Sequence, residues 1–284
     1  MKSKIVTPEY LNKVFYKDSE KMNEIPNESI DLIVTSPPYF NLKDYSKDGY
    51  QINKHSKLLN GDAGHSKSFN QYLSTLLNVW KESLRVLKPN GKMCINVPLV
   101  PLLKSENNLN HNRFIYDLQS EIQHSILNNT KFQLMDLYIW NRTNSAKKLM
   151  FGSYPYPSNF YAQNTTEFIT IYVKPGKPIN GRDKKIKDKS KLTQKEWVEL
   201  TKQIWNFPGP NRGDKAFGLH PAIMPLELAK RCIKLFSWVD DVVLDPFAGS
   251  GTTLLAAKEL NRNFIGYELY KNYKKVIEKK VYGI

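Results

Sequence analysis

The sequence predicts an α/β protein built on a mostly parallel, twisted sheet with helices on its faces. Short apolar runs typical of buried strands alternate with segments of helical periodicity along most of the chain. One such run, residues 242–244, is followed by a glycine turn and a helical segment, the order found where parallel sheets hold nucleotide-type ligands. The 284 residues, 40% of them hydrophobic, suffice for one large domain with a substantial core.

The first half of the chain supplies the opening elements. Residues 30–34 predict a buried strand, which the prolines of Ser36-Pro37-Pro38-Tyr39 stop. Residues 40–68 are polar and without periodicity, which predicts a long mobile loop. The elements expected next are a helix over 69–87, a strand over 93–97, a helix over 114–127 and a strand over 132–140.

The second half completes the sheet around a basic segment. A strand over 168–173 precedes residues 177–202, where nine Lys and Arg stand against four Asp and Glu. This composition predicts a charged insert outside the core. The pattern then predicts a helix over 225–236, a strand over 242–244, a helix over 252–260 and a strand over 264–266.

The charge balance points to a polyanionic partner. Forty-two Lys and Arg against 27 Asp and Glu give a net charge of +15, and cations set against phosphates release counterions. The two cysteines, Cys94 and Cys232, fit a reducing compartment, and no window is long and apolar enough for a bilayer. The N-terminal stretch lacks the apolar core of a secretion signal, so a cytoplasmic location without membrane association is expected.

The glycine turn predicts a site for an adenosine-containing cofactor. Gly249 and Gly251 allow close backbone approach at the start of a helix, whose first amides are unpaired. Glu268, just past the next strand, suits the two hydroxyls of a ribose, and Asp245 suits a cationic group. Leu254 replaces the third glycine of the dinucleotide fingerprint, which disfavours a nicotinamide dehydrogenase.

The Ser-Pro-Pro-Tyr segment predicts a pocket for a planar amine. The hydroxyl of Ser36 and the carbonyl of Pro37 are acceptors on a rigid turn at the carboxyl end of a strand. Tyr39 adds an aromatic face on which a base can stack. Two accepted hydrogen bonds would draw the amine nitrogen toward sp3 geometry and free its lone pair for attack on a methyl group.

Together these motifs resemble those of the DNA methyltransferases that methylate exocyclic amines with S-adenosyl-L-methionine. Thr35-Ser-Pro-Pro-Tyr39 is similar to the family's catalytic motif, and the segment from Asp245 to Thr253 is similar to its cofactor motif. The catalytic motif comes first, as in the permuted, β-type members. The resemblance covers nearly the whole chain except 40–68 and 177–202. It implies a Rossmann-like methyltransferase fold with circularly permuted motif order, in which base flipping exposes the amine.

The resemblance also implies the roles of individual residues. The implied catalytic residues are Ser36, Pro37, Pro38 and Tyr39. The implied cofactor-binding residues are Asp18, His220, Asp245, Pro246, Phe247, Gly249, Ser250, Gly251, Thr252 and Glu268. Trp140-Asn141-Arg142 resembles the segment beside the flipped base, and Trp205 belongs to a second such stretch, although each tryptophan also suits a plain core position.

The same resemblance divides the chain into three segments. Residues 1–176 would be the catalytic half with its mobile loop, 177–216 a target-recognition insert, and 217–284 the cofactor-binding half of the same domain. In the insert, the candidates for binding the phosphates of double-stranded DNA are Arg182, Lys184, Lys185, Lys187, Lys189 and Lys191. A solvated charged loop is the alternative interpretation of the insert, and a homodimer is one expected assembly.

Cytosine and adenine both carry an exocyclic amine, so the target base stays open. Serine at position 36 is more usual among cytosine-N4 members and aspartate among adenine-N6 members, which favours cytosine. Methylation of a ring carbon is disfavoured, because neither Cys94 nor Cys232 stands beside a proline as its nucleophile requires. RNA or protein glutamine as substrate, and a non-catalytic nucleic-acid-binding or regulatory subunit, are the remaining alternatives. The favoured function is site-specific DNA methylation within a restriction–modification system.

Overall fold

The computed structural model describes residues 9–54, 56–57, 59–103, 113–144, 154–158, 162–178 and 182–284. The strands are β1 (Lys13–Phe15), β2 (Ile30–Thr35), β3 (Leu87–Pro98), β4 (Val100–Leu103), β5 (Arg113–Tyr116), β6 (Gln133–Arg142), β7 (Thr166–Val173), β8 (Ile204–Phe207), β9 (Val242–Asp245) and β10 (Asn263–Tyr267). The helices are α1 (Phe69–Val86), α2 (Leu118–Asn129), α3 (Lys184–Lys189), α4 (Gln194–Leu200), α5 (Leu226–Phe236), α6 (Thr252–Glu259) and α7 (Lys274–Ile277), followed by a π-helical turn over Glu278–Tyr282.

Eight strands form one sheet in the order β1-β10-β9-β2-β3-β7-β6-β8. Within it β7 pairs antiparallel with both β3 and β6, and the other pairings are parallel. The predicted mostly parallel sheet is therefore confirmed. Apolar side chains on both faces of the sheet form two buried clusters, in which Trp80 and Trp205 are the largest fully buried side chains.

The order of the strands places β2 beside β9 at the centre of the sheet. Leu32 pairs with Val243 and Ile33 with Leu244, although the two strands are far apart in the chain. Because both strands run in the same direction, their carboxyl ends meet at one edge, which we call the carboxyl edge. The segments that follow the two strands, from Ser36 and from Pro246, therefore leave the sheet side by side.

One predicted helix differs from the structure in its first turn. The helix expected over 114–127 begins only at Leu118, where the Asp117 side chain accepts a hydrogen bond from Ser120 N (3.1 Å). Arg113–Tyr116 instead forms a strand paired with β4, and the Tyr116 ring stacks on Phe69 at 4.5 Å. Tertiary pairing of an aromatic segment outweighs its helical spacing here.

The basic insert begins at the edge opposite the carboxyl edge. It leaves β7 at Val173, which pairs with Gln133, the first residue of β6, and with Lys92 in the middle of β3. It ends before Ile204, the first residue of β8, which pairs with Ile139 nearer the carboxyl edge. Between these points the segment forms α3 and α4 rather than an irregular loop, and residues 204–207 of the predicted 177–216 insert belong to the main sheet.

Arg182, one of the predicted phosphate-binding residues, is paired with carboxylates within the protein, and the predicted DNA contacts of the insert stay predictions. The Arg182 guanidinium lies 2.5 Å from Asp241 Oδ1 and 3.3 Å from Asp31 Oδ1, at the beginnings of β9 and β2. The exposed Lys184, Lys185, Lys187, Lys189 and Lys191 follow it directly. Ser190 Oγ accepts a hydrogen bond from Val239 N (2.9 Å), which ties this segment to the same edge. Arg182 is a structural ion-pair partner, and none of these lysines is brought to the carboxyl edge.

We expect Arg182→Ala to lower the free energy of unfolding by about 2 kcal/mol, because the buried carboxylate of Asp241 loses its ion pair. The affinity for DNA should stay at the wild-type value. Urea denaturation and a gel-shift titration measure the two quantities. Lys184→Ala, an exposed position two residues away, is the control and should change stability by less than about 0.5 kcal/mol. A variant that bound DNA weakly but unfolded like the wild type would contradict this placement.

Candidate active site

A cleft opens at the carboxyl edge between the segments that follow β2 and β9. The Thr35 hydroxyl donates to Asp245 Oδ1 (2.7 Å) and so joins the ends of the two strands. The cleft is lined from one side by Ser36, Pro37, Pro38 and Tyr39 and from the other by Asp245, Pro246, Phe247, Gly249, Ser250, Thr252 and Glu268. The two predicted motifs therefore share one cavity.

The glycine turn has the backbone that its sequence predicts. Gly249 and Gly251 have φ angles of +53° and +80°, in the left-handed region that disfavours side chains. A Cβ on Gly249 would also lie 2.9 Å from His220 Nε2. Gly251 is the N-cap of α6 and stands just behind the residues that line the cleft.

Glu268 lies at the end of β10, opposite the glycine turn. Its carboxylate accepts hydrogen bonds from Gly249 N and Tyr270 N, both at 2.8 Å. The pKa of Glu268 is raised to about 8, chiefly by burial and to a smaller extent by the charges of Asp245 and Asp62. When ionised, the form that a ligand with positive charge would favour, each carboxylate oxygen keeps a second lone pair and could accept one hydrogen bond from a ligand.

Asp245 and Asp18 contribute two further carboxylates to the cleft. Asp245 accepts hydrogen bonds from Thr35 and from Phe247 N (3.0 Å), and burial raises its pKa to about 6. Asp18 is exposed at the mouth of the cleft, where its Oδ1 accepts a hydrogen bond from Glu20 N (3.2 Å). The cleft thus has an acidic character that suits a ligand with positive charge.

His220 is a neutral donor in the same cleft. Its Nδ1 accepts a hydrogen bond from Ala222 N (3.2 Å), which leaves the ring proton on Nε2, the atom nearest Gly249. Burial, followed by the charge of Lys280, lowers the pKa of His220 to about 3. The side chain therefore offers an N–H group and no charge at neutral pH.

The hydroxyl of Ser36 already makes two hydrogen bonds within the protein. It donates to the carbonyl oxygen of Asn96 (3.0 Å), and the Tyr39 hydroxyl lies 2.8 Å from Ser36 Oγ. Because the one proton of Ser36 is used toward Asn96, Tyr39 is the donor in the second contact, and burial raises the pKa of Tyr39 so that it keeps its proton. One lone pair of Ser36 Oγ remains for a ligand.

A second cleft adjoins the first beyond the Tyr39 ring, and we call it the adjoining cleft. Its walls include Lys43, Asn96, Pro98, Trp140, Arg142, Asn144, Glu167 and Met224. Trp140 is buried, stacks on Phe207 at 5.3 Å and donates its ring N–H to Phe207 O (3.0 Å). Trp205 is fully buried against Tyr138 at 4.7 Å. Trp205 is therefore a core residue, whereas Trp140 serves both the core and the cleft.

The polar loop contributes side chains that the sequence analysis missed. Tyr270 donates its hydroxyl to Asp62 Oδ2 (2.6 Å), and Tyr273 donates its hydroxyl to Tyr45 O (2.7 Å). Asp62 and Tyr45 also line the first cleft, so the described part of 40–68 packs over it. The loop has no periodicity, and its predicted mobility stays a prediction.

A buried ion pair beside the glycine turn was missed as well. Lys280 Nζ lies 3.0 Å from both carboxylate oxygens of Asp214 and donates to Thr252 Oγ1 (2.8 Å). Lys280 stands in a lysine-rich terminal segment, and nothing in that pattern distinguishes it from its exposed neighbours. The bond to Thr252 fixes the first turn of α6 below the glycine turn.

Cys94 and Cys232 are buried free thiols, as predicted. Among the described residues, no group of His, Cys, Asp and Glu has the arrangement of a metal site. No helix in the described parts of the chain is both long and apolar enough to cross a membrane.

The comparisons with known proteins agree with these two motifs. Residues 30–279 match a family model described as DNA methylase, and the chain belongs to this family. Among curated relatives, the Type II methyltransferase M.MjaI of Methanocaldococcus jannaschii is 32% identical over 95% of this chain and 91% of its own length. The Type II methyltransferase M.MthZI of Methanothermobacter thermautotrophicus is 31% identical over 95% of this chain and 76% of its own.

Solved structures show the same fold. TTHA0409 from Thermus thermophilus, in complex with S-adenosyl-L-methionine, is 28% identical with a TM-score of 0.73 and covers 96% of each chain. The cytosine-N4-specific PvuII DNA methyltransferase has a TM-score of 0.61 over 96% of this chain and 93% of its own, at 16% identity. The Rossmann-like methyltransferase fold predicted from the sequence is thereby confirmed.

The raised pKa of Glu268 predicts a pH-dependent stability. The folded chain holds this proton between about pH 4.5 and pH 8, where the unfolded chain has released it, so the folded state loses stability as the pH rises through this range. Glu268→Gln removes this dependence. We measure the free energy of unfolding by urea denaturation without added ligand. Between pH 5 and pH 8 it should fall by at least about 2 kcal/mol more in the wild type than in the variant.

We compare how the free energy of unfolding of each protein changes with pH, because a pH-independent cost of the lost acceptor oxygen cancels from that change. Glu121→Gln, an exposed position on α2, is the control and should follow the wild type at both pH values. A constant difference between Glu268→Gln and wild type would contradict the raised pKa.

Proposed function

We propose that this DNA methylase is a type II enzyme of the restriction–modification kind that methylates the exocyclic amine of a base flipped out of double-stranded DNA, with S-adenosyl-L-methionine as methyl donor. We propose N4 of cytosine as the target atom and N6 of adenine as the alternative. One observation carries the proposal: Ser36, which keeps one unused lone pair, lines the acidic, glycine-lined cleft and is bonded to Tyr39 and Asn96, which both line the adjoining cleft. The type II names of the two relatives and the cofactor in the TTHA0409 complex support it.

S-adenosyl-L-methionine fits the residues of the first cleft. Glu268, when ionised, would have two lone pairs for ribose hydroxyls, and Asp18 and Asp245 suit the positive charges of the ligand. The N–H of His220 suits its carboxylate, and the absence of a Cβ at Gly249 leaves room for it. When bound, the cofactor supplies a methyl group that its sulfonium sulfur activates for transfer.

The chain's own residues orient the amine. Ser36 Oγ and the carbonyl of Pro37 would each accept one hydrogen bond from the amine, while Pro37 and Pro38 keep the turn rigid. The Tyr39 ring, held by its bond to Ser36, would stack on the base. No protein nucleophile is needed, since catalysis consists of alignment of the amine with the methyl group.

The geometry favours DNA approaching the carboxyl edge. Lys43 and Arg142 line the adjoining cleft on this side, where they can meet phosphates near an extruded base. Extrusion costs a few kcal/mol, which such contacts offset. A homodimer and a cytoplasmic location stay predictions.

The first test is single-molecule sequencing of DNA from cells with and without the protein, which identifies the modified base and its motif together. We expect cytosine-N4 methylation at one short motif. Adenine-N6 methylation would overturn only the choice of base. Unmodified DNA from cells making a protein that binds S-adenosyl-L-methionine would contradict the proposed substrate.

We expect Ser36→Ala to lower kcat on DNA about 10- to 100-fold, because one of the two acceptors that orient the amine is lost. The Kd for S-adenosyl-L-methionine, measured by calorimetry, should not change. Ser74→Ala, on the exposed face of α1, should behave as wild type in both measurements. Wild-type methylation by Ser36→Ala would refute the proposed role.

A further inference from the structure

Two buried polar side chains in the adjoining cleft have no part in the function described so far. Asn96 lies on β3 and Glu167 on β7, and they are only 2% and 7% exposed. Asn96 Nδ2 donates to Glu167 Oε2 at 2.7 Å. Because Glu167 stands opposite Pro98 and Trp140 in the sheet, both side chains lie at the carboxyl edge.

The pair is directly linked to the proposed catalytic turn. The carbonyl oxygen of Asn96 accepts the hydrogen bond from Ser36 Oγ, and Asn96, Glu167 and Tyr39 all line the adjoining cleft. A base whose amine meets Ser36 and whose ring lies along Tyr39 would thus extend toward these two side chains.

The hydrogen bonding of the pair is incomplete. Asn96 Oδ1 is buried and has no partner among the described residues. The other oxygen of Glu167, Oε1, lies 3.6 Å from Arg142 Nη1, which is longer than a hydrogen bond. Buried polar atoms nearly always have a hydrogen-bond partner, so an unpaired polar atom in the wall of a cleft indicates that a bound ligand supplies the partner.

The surroundings of Glu167 favour its protonated form. Burial raises its pKa, and this effect exceeds the opposing effects of the Asn96 hydrogen bond and the Arg142 charge. The titratable and charged groups that face the pair are Arg142, whose side chain is 33% exposed, the Tyr39 hydroxyl and, across the cleft, Lys43. When protonated, Glu167 would add a hydrogen-bond donor to this wall beside the unpaired acceptor Asn96 Oδ1.

The two candidate bases, cytosine and adenine, differ in size but share one feature next to the amine. In cytosine the ring nitrogen N3, and in adenine N1, lies next to the carbon that bears the amine, and each accepts a hydrogen bond. A donor placed beside the Ser36 acceptor therefore matches either base.

We infer that Glu167, held in place by Asn96, donates a hydrogen bond to the ring nitrogen next to the methylated amine and so recognises the flipped base. This inference rests on the proposed function and adds which atom of the base the protein recognises. Donation to the ring orients the base without taking part in methyl transfer, so Glu167 is a specificity-determining residue.

The test combines variants of Glu167 with a target base whose ring nitrogen is replaced by C–H. For cytosine this base is 3-deazacytosine, and for adenine 1-deazaadenine, placed in the motif that sequencing identifies. We expect the wild-type kcat/KM to fall about 10-fold on the deaza duplex, because one hydrogen bond is lost. Glu167→Ala should lose a similar factor on the natural duplex and nothing further on the deaza duplex, since each change removes the same contact.

Glu167→Gln is the matched control, because its amide donates where the protonated carboxyl would. We expect it to keep the natural kcat/KM within about 3-fold and to show the wild-type penalty on the deaza duplex. The Kd for S-adenosyl-L-methionine should be unchanged in both variants, which shows that they fold. The intrinsic change in amine reactivity of the deaza base cancels in the comparison between proteins.

The inference is overturned if the ratio of kcat/KM on the natural duplex to kcat/KM on the deaza duplex is the same for Glu167→Ala as for the wild-type protein. A wild-type protein that methylates no DNA at all fails earlier and removes the proposed function itself.

Discussion

The pairing of β2 with β9 is the constraint on which the rest of the molecule depends. Thr35 and Asp245 are 210 residues apart and share a hydrogen bond of 2.7 Å at the ends of these strands. Parallel strands direct their following segments to the same edge, so this pairing alone places the Ser-Pro-Pro-Tyr turn against the glycine turn. Any shift in register would separate the proposed amine site from the cofactor cleft.

Burial gives the cleft its chemical character. Asp245 and Glu268 lose most of their hydration, and their raised pKa values record that cost. A ligand with positive charge would restore the interactions that water no longer provides. His220 responds to the same burial in the opposite sense, since a neutral imidazole keeps a donor without adding a charge. Groups of opposite type thus become complementary to different parts of one ligand.

The two edges of the sheet have separate tasks. The ion pairs of Arg182 with Asp31 and Asp241 join the basic insert to the beginnings of the central strands. About five residues of extended strand, or roughly 16 Å, separate that edge from the proposed chemistry. Arg182 therefore joins the insert to the fold, and the exposed lysines of the insert add to the overall potential of the protein, while Lys43 and Arg142 line the adjoining cleft, where we propose that the base binds.

The sequence by itself determined six of the eight strands of the main sheet, the glycine turn and the family, because these rest on local rules. Apolar runs mark strands, prolines stop them, and Gly249 and Gly251 meet a backbone requirement that few other residues satisfy. The strand at 113–116 and the placement of the basic insert followed from pairing with distant segments, which no local pattern encodes. The same holds for Asn96 and Glu167, which lie 71 positions apart in the chain and meet only because β3 pairs with β7. Composition could indicate that charges exist, but only the tertiary structure decided which of them face a ligand and which hold the fold together.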